Sequence, residues 1–173
     1  MTGGSGGPAS WYRVVGARRR TKREVLSSGG GRFHGDPERE PTTYVADSVE
    51  TAWLEVKAHA GEARLDMRAF RAWRVMLPEE VSRQLVDLRA QEQQERYHIT
   101  GTELQGDPAP ESGKALARRL RHEGRTGVIY SSVRNRPDGV CVAVFLESVQ
   151  AELSVESAAE EWTRFAERRG QAS

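Results

Sequence analysis

The sequence predicts an α+β fold, with a mixed or antiparallel central sheet and flanking helices. Three observations lead there. Short apolar, β-branched runs at 11–15, 42–46, 126–130 and 139–145 read as strands. Segments with apolar residues at helical spacing lie between and after them, over 48–60, 79–96 and 112–123. The chain has 173 residues, long enough to hide roughly 70% of its unfolded surface. A single domain over 11–173 is expected, preceded by a flexible Gly/Ser/Pro-rich arm over 1–10.

Trp11-Tyr12-Arg13-Val14-Val15 is a strand ended by Gly16. The basic run Arg18 to Arg23 and the Ser27 to Gly31 stretch then make 17–41 one long loop, a length often reserved for function. After the strand 42–46, Asp47 stands three residues before Glu50, the spacing of a capping box. The helix 48–60 carries Val49, Ala52, Trp53 and Val56 as one apolar stripe, and Glu55 lies at its edge. Gly61 stops it.

A strand follows over 69–77, with an imperfect alternation that leaves its buried face open, and Pro78 closes it. Val81, Leu85 and Leu88 give 79–96 a helical pattern, 97–110 reads as a polar loop, and 112–123 as a basic helix. Asn135 to Gly139 is a turn that joins 126–130 and 139–145 into a hairpin. A strand over 149–153 and a helix over 157–168 complete the chain.

Charge and composition exclude several functions. Twenty-six basic and 25 acidic residues give a net charge of +1, too balanced to identify nucleic acid as a partner. No run approaches the roughly 20 apolar residues of a membrane helix, and no secretory leader is visible. Cys141 is the sole cysteine, so no internal disulfide and no Cys-x-x-Cys metal site is expected. The phosphate loop, dinucleotide, nucleophile-elbow and zinc-protease motifs are all missing. A soluble cytoplasmic protein without a metal is the expectation.

Four pieces could carry chemistry. Gly30-Gly31-Arg32-Phe33-His34 combines backbone that lets a ligand approach with an arginine suited to phosphate. Glu55, beside the apolar stripe, could stabilise a cationic transition state. Tyr130-Ser131-Ser132-Val133-Arg134 places hydroxyls where a strand runs out. The Arg18 to Arg23 run could contact nucleic acid. Taken singly, each is better read as a surface loop, a flanking glutamate that meets His59, a turn and a solvated arm. His34, His59, His98 and His122 read as surface or helix-edge residues.

Taken together and in order, these pieces resemble the RES domain family, named for an Arg, a Glu and a Ser. The resemblance rests on Trp11 to Val14, Gly31 to His34, the Tyr44 to Glu55 block and the Gly127 to Arg134 block, and covers about 11–147. It implies a fold related to ADP-ribosyltransferases and a toxin of a bacterial toxin–antitoxin pair, silenced by a helix-turn-helix antitoxin of the Xre type. The implied activity is depletion of NAD by cutting its nicotinamide–ribose bond. NAD is then the substrate rather than a cofactor, phosphate a co-substrate if it replaces water, and a homodimer within the antitoxin complex the implied assembly.

By the same resemblance the catalytic residues are Glu55, Arg32 and Ser132. Arg13 and Arg32 would hold the pyrophosphate, Tyr44 would stack on nicotinamide, and Ser132 would hold the ribose or the nicotinamide amide. Gly31 and Phe33 would complete the binding site. Three features depart from the family pattern: Phe33-His34 for Trp-Asn, Ser131 for a proline, and a long segment over 79–113. The alternatives are ADP-ribosyl transfer to a macromolecule, a non-catalytic module that binds nucleic acid or a partner, and delivery as a secreted effector.

Overall fold

The computed structural model of the protein describes residues 9–28, 30–36, 38–61, 64–105 and 111–170. Most of the expected N-terminal arm (1–8), Gly29 of the expected flexible stretch and 106–110 of the expected loop lie outside the described residues. Among the described residues, seven strands form one sheet: β1 (Ala9–Gly16), β2 (Thr42–Ala46), β3 (Phe70–Leu77), β4 (Leu85–Asp87), β5 (Gly127–Ser131), β6 (Val140–Phe145) and β7 (Ser154–Ser157). Their order is β4-β5-β6-β2-β1-β3-β7. Every pair is antiparallel except β4 with β5, so the sheet is mixed and the fold is α+β, as expected.

The helices are α1 (Lys22–Leu26), α2 (Val49–His59), α3 (Glu79–Arg83), α4 (Gln91–Tyr97), α5 (Gly101–Gln105), α6 (Glu111–His122), α7 (Leu146–Val149) and α8 (Ala159–Gly170). Side chains alternate along β6, which shows how the layers lie. Val142 and Val144 pack with Leu26, Val81 and Val149, so α1, α3 and α7 cover one face. Cys141 packs with Trp53 and Trp162, which puts α2 and α8 on the other. Ala143 and Phe145 share that second face with Phe33, Leu116 and Leu120, placing α6 there as well. Two apolar clusters therefore sit side by side on one face, and Tyr130 packs against both.

Several expected elements change once long-range pairing is present. The stretch read as a single loop over 17–41 contains α1, started by a capping box: Thr21 Oγ1 accepts from Glu24 N (3.3 Å) and Glu24 Oε2 from Thr21 N (2.9 Å). Ser48, not Asp47, caps α2, accepting from Thr51 N at 3.1 Å. Asp47 instead accepts from Val140 N (3.1 Å) and so extends the β2–β6 pairing.

The helix expected over 79–96 is two helices around β4. Val86 and Leu88 are buried two residues apart, a strand period, because β4 pairs in parallel with β5. The loop expected over 97–110 includes α5. Residues 146–149 are helical, and the strand expected over 149–153 lies instead at β7, against β3. The open question of the buried face of β3 resolves as both: Ala72 packs beneath α2 and α8, Val75 and Leu77 on the opposite side.

Candidate active site

The site grows out of a weak seam in the sheet. β1 is in register with β3 along its full length, yet with β2 only at Tyr12–Ala46. Beside that seam lies a cleft of about 1020 Å³ between the two apolar clusters. Its floor is sheet side chains, including Tyr12, Tyr44, Tyr130 and Cys141; Glu55 and Val56 of α2 form one wall. The loop after α1, with Gly31, Arg32 and His34, and Lys114 of α6 form the other.

Arg13 bridges the seam. Its guanidinium donates to the carbonyls of Tyr44 on β2 (2.6 Å), Val25 (2.7 Å) and Ser27 (2.8 Å). Of its five N–H groups, one thus bonds across to β2 where the strand ladder is missing, and two tie down the end of α1 and the loop that carries Arg32. Burial, and after it the charge of Arg19, pull Arg13 down to about 10, so it stays charged at neutral pH. Arg13 lines the cleft, and its surroundings fit a brace for the wall better than a pyrophosphate ligand.

Glu55 and Ser132, 77 residues apart in sequence, meet directly: Ser132 Oγ donates to Glu55 Oε1 at 2.6 Å. Ser132 Oγ also accepts from the main-chain N–H of Arg134 and Asn135, both at 3.1 Å. A hydroxyl has one proton and two lone pairs, so Ser132 is saturated, and it is only 2% exposed. The expectation that it holds ribose or nicotinamide is therefore revised: it holds the carboxylate. Cys141 Sγ, which sequence reasoning did not connect to the site, lies 3.8 Å from the same Oε1. Among the described residues both contacts fall on Oε1, which leaves Oε2 available to a ligand.

Gly31, Phe33 and Tyr44 form one unit. Tyr44 Oη accepts from Phe33 N at 3.0 Å, and Gly31 (φ +152°) lets the loop press onto the Tyr44 ring. Phe33 is fully buried, 5.3 Å from the Tyr130 ring, and belongs to the core under the cleft rather than to its lining, which corrects its expected place in the binding site. Arg32 lies 5.8 Å from the Tyr130 ring centroid. Gly113 of α6 allows the close approach, since a Cβ there would stand 2.7 Å from Arg32 O. His59, expected to meet the Glu55 side chain, bonds its main-chain oxygen instead (2.7 Å).

His34 departs most from expectation. It is 6% exposed rather than superficial, it lines the cleft, and neither ring nitrogen has a hydrogen-bond partner among the described residues. Burial, then the charge of Arg121, hold it below the ordinary imidazole range, so it is neutral at pH 7. Because its folded value is lowered, its contribution to stability is present above the unfolded value of about 6.5 and falls as pH drops through it. Thermal melts between about pH 5 and 8 should show a flatter decline for His34→Gln than for the unaltered protein; equal slopes would contradict the buried neutral state.

The remaining titratable groups narrow the chemistry. Burial raises the phenols of Tyr44 and Tyr130 well above their usual value. Burial, with the charges of Glu55 and Asp47, does the same to the Cys141 thiol. All three stay protonated, so Cys141 is a hydrogen-bond donor in the floor, not a thiolate nucleophile. Among the described residues, no three His, Cys, Asp or Glu side chains could share a metal ion, and no helix is long and apolar enough to cross a membrane. The basic run Arg18 to Arg23 is drawn into α1 and its cap, with Arg19 bonding the carbonyls of Glu24 (3.2 Å) and Ser27 (2.7 Å).

Comparison with known proteins gives three findings. No curated protein sequence matches the chain. Among solved structures, a chain of the M. tuberculosis MbcT–MbcA toxin–antitoxin complex has the same fold, with a TM-score of 0.64 and 20% identity over 91% of this chain and 88% of that one. The family model of the RES domain matches residues 10–165, which takes in nearly all of β1, the cleft and most of α8. On that match the chain belongs to the RES domain family.

Proposed function

We propose that the protein is the toxin of a toxin–antitoxin pair and that it depletes NAD by cutting the nicotinamide–ribose bond. The Glu55–Ser132 contact in the wall of the cleft carries this reading. As the C1–N bond breaks, nicotinamide leaves with the bonding electrons and the ribose C1 becomes oxocarbenium-like. A carboxylate held in place beside C1 stabilises that charge without reorganising. Water or phosphate then adds at C1 and loses a proton. Arg32 on the opposite wall would grip the pyrophosphate through charge-assisted hydrogen bonds, and Tyr44 would pack against the nicotinamide ring. Family membership and the fold shared with a chain of a toxin–antitoxin complex support the same reading.

The test is NAD consumption by purified protein with and without phosphate, with products identified by mass spectrometry. Free ADP-ribose would mark hydrolysis, and a phosphorylated ADP-ribose formed only with phosphate would mark phosphorolysis. An adduct on protein or nucleic acid would move the reaction to transfer. Absence of NAD loss from folded, partner-free protein would overturn the reading. Expression of the chain alone should slow bacterial growth, and co-expression with an adjacent helix-turn-helix partner should restore it; unimpaired growth under strong expression would count against a toxin.

A further inference from the structure

We propose that Thr51 and Asn135 form a clamp that positions Glu55, so that the proposed NAD-cleaving reaction, on which this inference rests, depends on two residues that do not line the cleft. Ser132 sits in the bent segment between β5 and β6, and one hydrogen bond to Glu55 alone would let that segment pivot. A second attachment prevents this. Asn135 Nδ2 donates to Thr51 Oγ1 at 2.8 Å, and the Asn135 main-chain N–H donates to Ser132 Oγ. Thr51 stands four residues before Glu55 on α2, hence on the same face one turn away. The segment therefore grips the helix at two points one turn apart, which fixes both distance and rotation.

The anchor is rigid at each end. Thr51 is fully buried, and its hydroxyl pairs with Ser48, the cap of α2, at 2.9 Å. On the other side the segment is closed by Ser132 N to Gly139 O (2.8 Å) and Gly139 N to Asn135 O (2.7 Å). Removing the Thr51–Asn135 bond deletes no group that would touch substrate, but it frees the hydroxyl that aims the carboxylate, which can then shift. Misplacing a reacting group by about 1 Å costs on the order of 100-fold in rate.

Thr51→Val, nearly isosteric, removes the acceptor; Thr51→Ser keeps it. Steady-state NAD loss should show kcat reduced by about 10- to 100-fold in Thr51→Val with little change in KM, and mostly restored in Thr51→Ser. Amide hydrogen exchange at Arg134 and Asn135, whose N–H groups bond Ser132, should speed up in Thr51→Val and not in Thr51→Ser. Should Thr51→Val fail to fold, Asn135→Leu breaks the same bond from the segment side, and exchange is read at Arg134. Unchanged exchange, or faster exchange with unaltered kcat, overturns the clamp as a positioning device. If the unaltered protein consumes no NAD while the exchange difference appears, the clamp stands and the proposed reaction falls.

Discussion

Glu55→Gln should consume NAD on the order of 100- to 1,000-fold more slowly than the unaltered protein while melting at nearly the same temperature. Glutamine keeps the shape, and its carbonyl oxygen can still accept from Ser132 Oγ and Cys141 Sγ. What it lacks is the negative charge that faces the developing cation. Ser132→Ala offers the contrast: it keeps the charge but strands the Arg134 and Asn135 N–H groups and frees the carboxylate. It should therefore lose about 1–3 kcal/mol of stability along with part of the rate. Initial rates beside thermal melts separate the two. A folded Glu55→Gln that turns over at the unaltered rate would remove Glu55 from the mechanism.

These side chains were readable in the sequence, their contacts much less so. The helix stripe of Val49, Ala52, Trp53 and Val56 placed Glu55 at the border of a buried face, and there it lies. The hairpin of β5 and β6 was legible because both strands are apolar and the turn between them is local. β4 was not, since a three-residue parallel edge strand has no local signal apart from the strand it joins. The same limit hid the Arg13 brace, the orphaned imidazole of His34 and the Thr51–Asn135 bond. Each joins residues far apart in the chain or depends on what a cleft wall buries. Ser132 stands out in the sequence through its block of residues, but its partner Glu55 does not, because sequence order cannot show that its three hydrogen bonds are filled from within the chain.

Gly31→Ala should disable the opposite wall. A Cβ at Gly31 would lie 2.4 Å from both Cζ and Oη of Tyr44 and 2.6 Å from Cε2, at a φ of +152° that a side chain adopts only with strain. The Tyr44 ring cannot step aside freely, since it packs on the core cluster of Phe33 and Leu116 and its hydroxyl accepts from Phe33 N. Either the ring or the loop must move, and both displace Arg32. The backbone strain alone costs about 1–3 kcal/mol, and affinity for NAD should fall with the stability. Tyr44→Ala supplies the discriminating background. If the clash dominates, the two substitutions are strongly non-additive, with an interaction energy on the order of 0.5–3 kcal/mol, because a missing ring can no longer be struck. Strict additivity in urea melts would assign the whole cost to the backbone of Gly31.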